Sequence, residues 1–380
     1  MLKLVNKSVI IVLSTLLLGF LTPDERCSPV NKKHTEGQND GPYVLYKGSH
    51  IYMKYIVQKN NDKSVLTDSM PVSGKSKITL WVNTDEPGKK FSVQLKKTIQ
   101  NENAEYPHVN KMLALSDIEG EFSAFRKLLQ SNKVIDSTYN WIFGEGHLVL
   151  TGDFVDRGDQ VTEVLWLIYS LEEKAKAAGG YVHFILGNHE IMNLSNDLRY
   201  LNKKYIENTT LLNEKFETLY GEQSELGIWL RSKNIIENIG GILFIHGGIS
   251  APINRLESSI DGINKLARPF YADTTYDYPP PVDTVFQSDG PFWYRGYYSE
   301  TKKASIGQVD STLIKFNVSN ISTGHTVVSD TVSLWFGGKV INTDVRHARA
   351  ISEALLMEND KFYRVDAKGN KTWLMDRRKN

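Results

Sequence analysis

The sequence predicts an α/β fold in which helices pack on a largely parallel inner sheet, preceded by a small antiparallel β-module. Three observations predict it. After Tyr106, apolar runs of strand length alternate with helical patterns, which implies right-handed crossovers between parallel strands. Before Tyr106 the text is a series of short aromatic and β-branched runs separated by turn residues. Each strand of the later region also ends in a polar cluster that its own sheet does not need.

The chain opens with Lys3 and Lys7, an almost unbroken apolar run from Val9 to Leu21, and polar Thr22-Pro23-Asp24. A basic start, a short apolar core and a polar exit form the pattern of a secretory signal. The run is shorter than the ~20 residues that span a bilayer comfortably, so residues 1–22 are expected to be a signal peptide, with a retained N-terminal anchor as the alternative. The expected location is therefore periplasmic or secreted, with membrane contact only through such an anchor. Residues 23–41 read as a polar linker. Cys27 within it is the single cysteine, which excludes an intramolecular disulfide and a cysteine-based metal site. Asp24-Glu25-Arg26 before it is the wrong environment for lipidation.

Residues 42–105 are expected to form the β-module, with strands at Tyr43–Tyr46, His50–Ile56, Ile78–Val82 and Phe91–Leu95. No chemistry is apparent there, and an accessory or docking role is expected. Residues 106–380 are expected to form the second, larger domain. Lys111–Leu115, His147–Leu150, Tyr181–Leu186 and Ile242–His246 read as strands. Phe122, Phe125, Leu128 and Leu129 mark one helix and Val161–Ala178 another. Leu194 to Gly240 reads as a polar helical insert. Val332–Phe336, Val340–Thr343, Phe362–Val365 and Thr372–Met375 read as hairpin strands. With an apolar fraction of 41% and a net charge of +1, the chain is an ordinary globular protein with no bulk electrostatic reason to bind nucleic acid.

The chemistry lies at the strand ends. They read Ser116-Asp117-Ile118-Glu119-Gly120, Thr151-Gly152-Asp153-Phe154-Val155-Asp156-Arg157-Gly158, Gly187-Asn188-His189-Glu190, His246-Gly247-Gly248 and Gly324-His325-Thr326. In open α/β sheets the carboxyl ends of strands are where ligands bind. These ends supply carboxylates, an amide and imidazoles of the kinds that hold hard and borderline divalent ions. Each cluster alone is an ordinary loop. The ordered set, with Asn188 following Asp153 by 35 residues, has no structural explanation of comparable weight.

In these motifs the sequence resembles the phosphoprotein phosphatase branch of the calcineurin-like metallophosphoesterases, over about Leu113 to Val345. Asp289-Gly290-Pro291-Phe292-Trp293-Tyr294-Arg295-Gly296-Tyr297 and Leu226-Gly227-Ile228-Trp229-Leu230-Arg231 are similar to the Shewanella-like bacterial protein phosphatases. The resemblance implies a β-sandwich of two mixed sheets flanked by helices and a metal-dependent phosphatase with two divalent ions. Mn²⁺ is the expected ion, with Fe, Zn or Mg as alternatives. It implies that Asp117 and the Glu119 position hold the first metal, that Asp153 bridges both, and that Asn188, His246 and His325 complete the second. Arg157 and Arg295 would bind the phosphate oxygens beside Asn188 and His189. His189, oriented by Asp156, would protonate the leaving oxygen. Elementary chemistry agrees, because two cations ~3.5–4 Å apart activate a water for in-line attack. Arginine forks match a phosphate dianion, and a carboxylate-paired His suits acid catalysis near neutral pH.

One position departs from the pattern: the family has Asp-x-His where this chain has Asp117-Ile118-Glu119. A carboxylate there raises the anionic ligands of the first metal from two to three, which favours harder ions such as Mn²⁺ or Mg²⁺ and makes the activated water less acidic. Glu119 is expected to ligate, directly or through water; the competing reading is a weakened first site. The expected substrate is a phosphorylated protein side chain (Ser/Thr or Tyr) or a small phosphomonoester. The alternatives are a hydrolase of dinucleoside polyphosphate or nucleotide phosphoanhydrides, and a metal-poor scaffold. Tyr271 to Pro281, rich in aromatic residues and proline, is a candidate substrate rim. Trp141, Trp229, Trp335 and His183 are expected to be structural.

Overall fold

Strand pairing begins with β1 (Asp40–Lys47), β2 (His50–Lys59) and β3 (Asp62–Pro71), which form an antiparallel sheet in that order. The structure, a computed structural model, describes residues 40–59 and 62–377. The expected signal segment, nearly all of the linker, and Cys27 lie outside the described residues. β3 is an addition to the strands expected from sequence. Its side chains are almost all exposed, so no apolar alternation marks it, and it is held by its ladder with β2. β4 (Thr79–Asn83) and β5 (Lys90–Gln94) pair with each other as a separate hairpin, so the region holds two antiparallel units rather than one sheet.

The short β6 (Glu105–Tyr106) leads into β7 (Lys111–Leu115), α1 (Phe122–Ser131), β8 (His147–Thr151), α2 (Val161–Ala177) and β9 (Tyr181–Ile185). β7, β8 and β9 are parallel and almost wholly buried. They carry near-continuous apolar runs because both faces of a parallel sheet are covered. α3 (Asn188–Leu194), α4 (Lys203–Leu212), α5 (Phe216–Leu219) and α6 (Glu225–Arg231) form the helical insert. The expected extent of that insert is corrected at its end: β10 (Ile236–Ile239) pairs antiparallel with β11 (Ile242–Ile245) across the Gly240-Gly241 turn. Four further helices follow, α7 (Ala251–Arg255), α8 (Ile260–Ala267), α9 (Val282–Phe286) and α10 (Ile306–Phe316). The chain closes with β12 (Asn320–Thr323), β13 (Ser333–Trp335), β14 (Val340–Asn342), β15 (Glu353–Glu358), β16 (Lys361–Asp366) and β17 (Lys371–Asp376).

Two mixed six-stranded sheets result, ordered β13-β14-β12-β11-β10-β6 and β17-β16-β15-β7-β8-β9. Period-two alternation sorts their side chains. Ala114, Val149, Ile185, Phe244, Ile341 and Leu355 meet between the sheets. Leu113, Leu148, Leu150, Phe184, Leu243 and Ile245 belong to the outer core with α1, α2 and Trp229. His183 is structural, as expected: buried on β9, it reaches Glu237 of β10 at 2.7 Å and His147 at 2.8 Å. Trp141 and Trp229 are buried, whereas Trp335 is only half-buried against Tyr298.

The N-terminal sheet is bound to this body by specific polar contacts. Trp166 Nε1 of α2 donates to the Pro42 carbonyl at 2.8 Å, Lys54 pairs with Glu214 at 2.6 Å, and the Tyr46 hydroxyl bonds to Glu225. No described helix is long and apolar enough to cross a membrane.

Candidate metal centre

The five polar clusters follow β7, β8, β9, β11 and β12 directly, so three come from one sheet and two from the other. Their turns are sharp. Asp117, Glu119, Asp153, Asp156, Arg157 and His325 all have positive φ, between 47° and 69°. That conformation costs on the order of 1–3 kcal/mol for a non-glycine residue, and its recurrence on the polar side chains of one cluster is the reason to read that cluster as a candidate site. Gly152, at φ 82°, shows how close the segments run: a Cβ there would sit 2.6 Å from Gly187 Cα and from His246 Nδ1.

The buried Glu190 ties two of these loops together. Its carboxylate accepts from the backbone N–H groups of Asp153 and Gly187 at 2.8 Å and of Phe154 at 2.7 Å. Charge-assisted bonds of this kind are worth about 1.5–3 kcal/mol each. Glu190→Ala is expected to lower unfolding free energy by about 3 kcal/mol or more, measured by chemical denaturation of the metal-free protein. A change below about 0.5 kcal/mol would show that the loops hold themselves.

Asp153 lies at the centre. Its Oδ1 accepts from the His189 backbone N–H at 2.9 Å, while its Oδ2 lies 3.0 Å from His246 Nε2 and 3.8 Å from His189 Nε2. Ligand atoms of Asp153, His246 and His325 lie within 4.8 Å of one another, as do those of Glu119, Asp153 and His189, so Asp153 belongs to both groups. Asn188 Oδ1 faces His246 Nε2 at 3.0 Å. Asp117 stands outside both groups, with its carboxylate accepting from the His325 backbone N–H at 3.1 Å.

The donor set fits divalent cations. His246 Nδ1 donates to the Thr151 carbonyl at 2.7 Å, which leaves the Nε2 lone pair facing two further oxygen acceptors. With Asn188 turned as it is, a cation or a proton reconciles the three converging lone pairs, and without a metal the His246 pKa is pushed up to about 9, burial opposing and Asp153 driving the rise. His325 differs in charge, since burial and the neighbouring His246 and Arg295 push its pKa well down and keep the imidazole neutral; with its Nε2–H donated to the Trp293 carbonyl at 3.2 Å, Nδ1 is left to ligate. Burial together with the Asp153 charge, against an opposing His246, lifts the Asp117 carboxyl to about 7. Asp344 is buried too, and its carboxyl is pushed well up by burial and by Asp117, Glu119 and Asp153. Burial and like charge thus work against full ionisation of these carboxyls in the metal-free site, an opposition that a bound cation would relieve.

Beside it, His189 Nδ1 bonds to Asp156 Oδ2 at 2.7 Å, and Asn193 Nδ2 donates to Asp156 Oδ1 at 2.8 Å and to the His189 carbonyl at 3.1 Å. Burial disfavours the imidazolium, but Asp153 and Asp156 prevail and raise its pKa to about 9. Arg157 Nη1 is ion-paired with Glu119 Oε1, and its Nη2 lies 3.5 Å from His189 Nε2. Arg295 is exposed and anchored through Nη1 on the His325 carbonyl at 2.7 Å and Thr326 Oγ1 at 3.2 Å.

Glu190, Asn193, Asp344 and Tyr200 are the site residues that sequence reading did not assign. Asn193 lies one helical turn after His189, a spacing that could have found it. Asp344 lies two residues beyond β14, and Tyr200 lies in a loop with no motif.

A model of the calcineurin-like phosphoesterase family matches residues 111–329, more than half of the chain. The chain belongs to the calcineurin-like phosphoesterases. Within that family it is similar to a cold-active protein-tyrosine phosphatase of a psychrophilic Shewanella species, a solved structure with 38% identity and a TM-score of 0.80, covering 89% of this chain and 100% of that one. Shewanella-like protein phosphatase 1 of Plasmodium berghei is 30% identical over 229 residues, 57% of this chain and 61% of that protein. Symmetrical bis(5'-nucleosyl)-tetraphosphatase of Legionella pneumophila is 29% identical over 167 residues, 43% of this chain and 54% of that protein. This calcineurin-like phosphoesterase is thus a metal-dependent phosphoesterase with Shewanella-like protein phosphatases among its relatives, and it has the two mixed sheets and flanking helices expected from its motifs.

Proposed function

We propose that the protein hydrolyses phosphate monoesters carried on Ser/Thr or Tyr side chains of proteins. The observation that carries this reading is Asp153 Oδ2 between His246 and His189, with the His189–Asp156 pair beside it. Asp117, Glu119, Asp153, Asn188, His246 and His325 would hold two divalent ions. Such ions polarise a phosphoryl group and lower the pKa of water. Mn²⁺ is the ion we assign, because three carboxylates favour a hard cation. Arg157 and Arg295 would bind the phosphate oxygens, and His189 would protonate the leaving oxygen while Asp156 holds its ring. Turnover of p-nitrophenyl phosphate and phosphopeptides, with about two metal ions per chain, is the expected result. Preferred cleavage of diadenosine tetraphosphate would instead support the phosphoanhydride reading that the Legionella relative suggests. Metal-free, inactive protein would support a scaffold.

The surroundings of His189 favour an aryl leaving group. The Tyr200 ring lies 5.0 Å from the His189 ring, and the Arg157 guanidinium lies over its face at 5.3 Å. Tyr276, from the expected rim loop, is exposed and has its hydroxyl 3.2 Å from Ser195 Oγ just beyond α3. Aromatic pairs add about 0.5–1.5 kcal/mol beyond area burial. Tyr200→Leu should therefore lower kcat/KM for a phosphotyrosyl peptide relative to a phosphothreonyl peptide by about 2–10-fold, and Tyr200→Phe should restore the ratio. Equal losses on both peptides would remove Tyr200 from substrate selection.

A further inference from the structure

We infer that Glu119 is a positioning residue shared between the metal centre and Arg157, so that loading of the metal and release of the phosphate-binding arginine are one coupled event. The inference rests on the reading of the cluster as a metal centre with Arg157 facing the substrate. Its basis is geometric. One carboxylate is ion-paired with Arg157 Nη1 and also lies within 4.8 Å of the ligand atoms of Asp153 and His189. The backbones at both ends are fixed. Glu119 N donates to the Asp153 carbonyl at 2.9 Å, and its own carbonyl accepts from Gly158 N at 2.8 Å. Arg157 N donates to the Tyr200 carbonyl at 3.0 Å, and its carbonyl accepts from Asn202 Nδ2 at 2.8 Å. Only side-chain torsions remain to decide which partner Glu119 takes.

The chemistry of the substitution makes this a choice. A neutral imidazole at position 119 would ligate a metal without attracting a guanidinium. A carboxylate attracts both, and the arginine that it holds is the group meant for a phosphate dianion. A cation that draws on Glu119 weakens its hold on Arg157. By linkage, removing Arg157 must strengthen metal binding to the same extent. Phosphate and Glu119 likewise compete for Arg157, so a metal-free chain should bind phosphate-like anions poorly. The Arg157 side chain is 50% exposed and that of Glu119 19%, so the pair can exchange partners without opening the fold.

The test is a double-mutant cycle read by calorimetry on the full chain, with Mn²⁺ as titrant. Arg157→Gln should tighten Mn²⁺ binding at the weaker-binding ion by about fivefold or more beyond any tightening that the same change causes in a Glu119→Gln background. Titrated with tungstate, metal-free Glu119→Gln should bind at least about fivefold more tightly than metal-free wild type. Arg157→Lys, which keeps the charge but not the fork, should fall between wild type and Arg157→Gln. Equal effects of Arg157→Gln in the two backgrounds, or equal tungstate affinity, would overturn the sharing while leaving the metal centre intact. Failure of the wild type to bind Mn²⁺ at all would overturn the metal reading and this inference with it.

Discussion

Asp153→Asn should empty the site. In the wild type this one carboxylate serves both groups of ligand atoms, with Oδ2 toward two imidazoles and Oδ1 fixed by the His189 backbone N–H. Burial works against its charge, yet His246 and His189 hold its carboxyl far below the usual range. An asparagine keeps the shape but removes the charge, and its NH₂ must turn a donor toward a cation or a backbone N–H. Loss of a hydrogen bond that merely supports a ligand costs roughly 10–100-fold in affinity or activity. Loss of the shared carboxylate should therefore lower kcat/KM by well over 100-fold and take metal content from about two per chain toward zero. Elemental analysis beside the kinetics decides the matter: a variant that retains both ions would show that Asp153 is not their common ligand.

His189→Ala should produce the second largest loss, and an uneven one. General acids contribute typically ~10²–10⁴-fold, and the need for one grows with the basicity of the leaving oxygen. A phosphoseryl peptide releases an alkoxide and should lose ~10²–10⁴-fold, whereas p-nitrophenyl phosphate releases a stable phenolate and should lose far less. Uniform losses on both substrates would assign His189 to binding rather than proton transfer. The sign of the pH dependence follows from the raised pKa. With Asp153 and Asp156 overcoming burial, His189 stays protonated below about 9 in the metal-free site, and bound cations lower that value. The rate on the phosphoseryl peptide should thus decline as pH rises through a value at or below about 9. That alkaline limb should be missing in His189→Ala.

The elements most legible in the sequence were those whose information is local. β7, β8 and β9 are continuous apolar runs, and each motif follows its strand without a gap, so placing the strand placed the motif. β3, β10 and β15 were not legible. β3 has almost no buried side chain. β10 carries Glu237 at an inward position, where it meets His183, and so reads as polar text. β15 has four of its six residues buried, but it joins the β16–β17 meander to β7 at a distance of more than 200 residues, a pairing that no local pattern announces.

The site shows the same division. Residue types and their order were enough to name the candidate ligands and the His189–Asp156 pair, because metal and proton chemistry accept few side chains. Glu190, Asn193 and Asp344 escaped because their value lies in what they face: three backbone N–H groups, the back of Asp156, and a crowd of like charges. The Glu119 substitution could be seen in the text, but its pairing with Arg157 could not, since 38 residues separate them. By itself the sequence determined which chemistry is available to this protein, because side-chain identity sets charge, proton affinity and ligand type. Only the tertiary structure decided which of those groups compete, because competition depends on distance and burial, and the chain order of residues encodes neither.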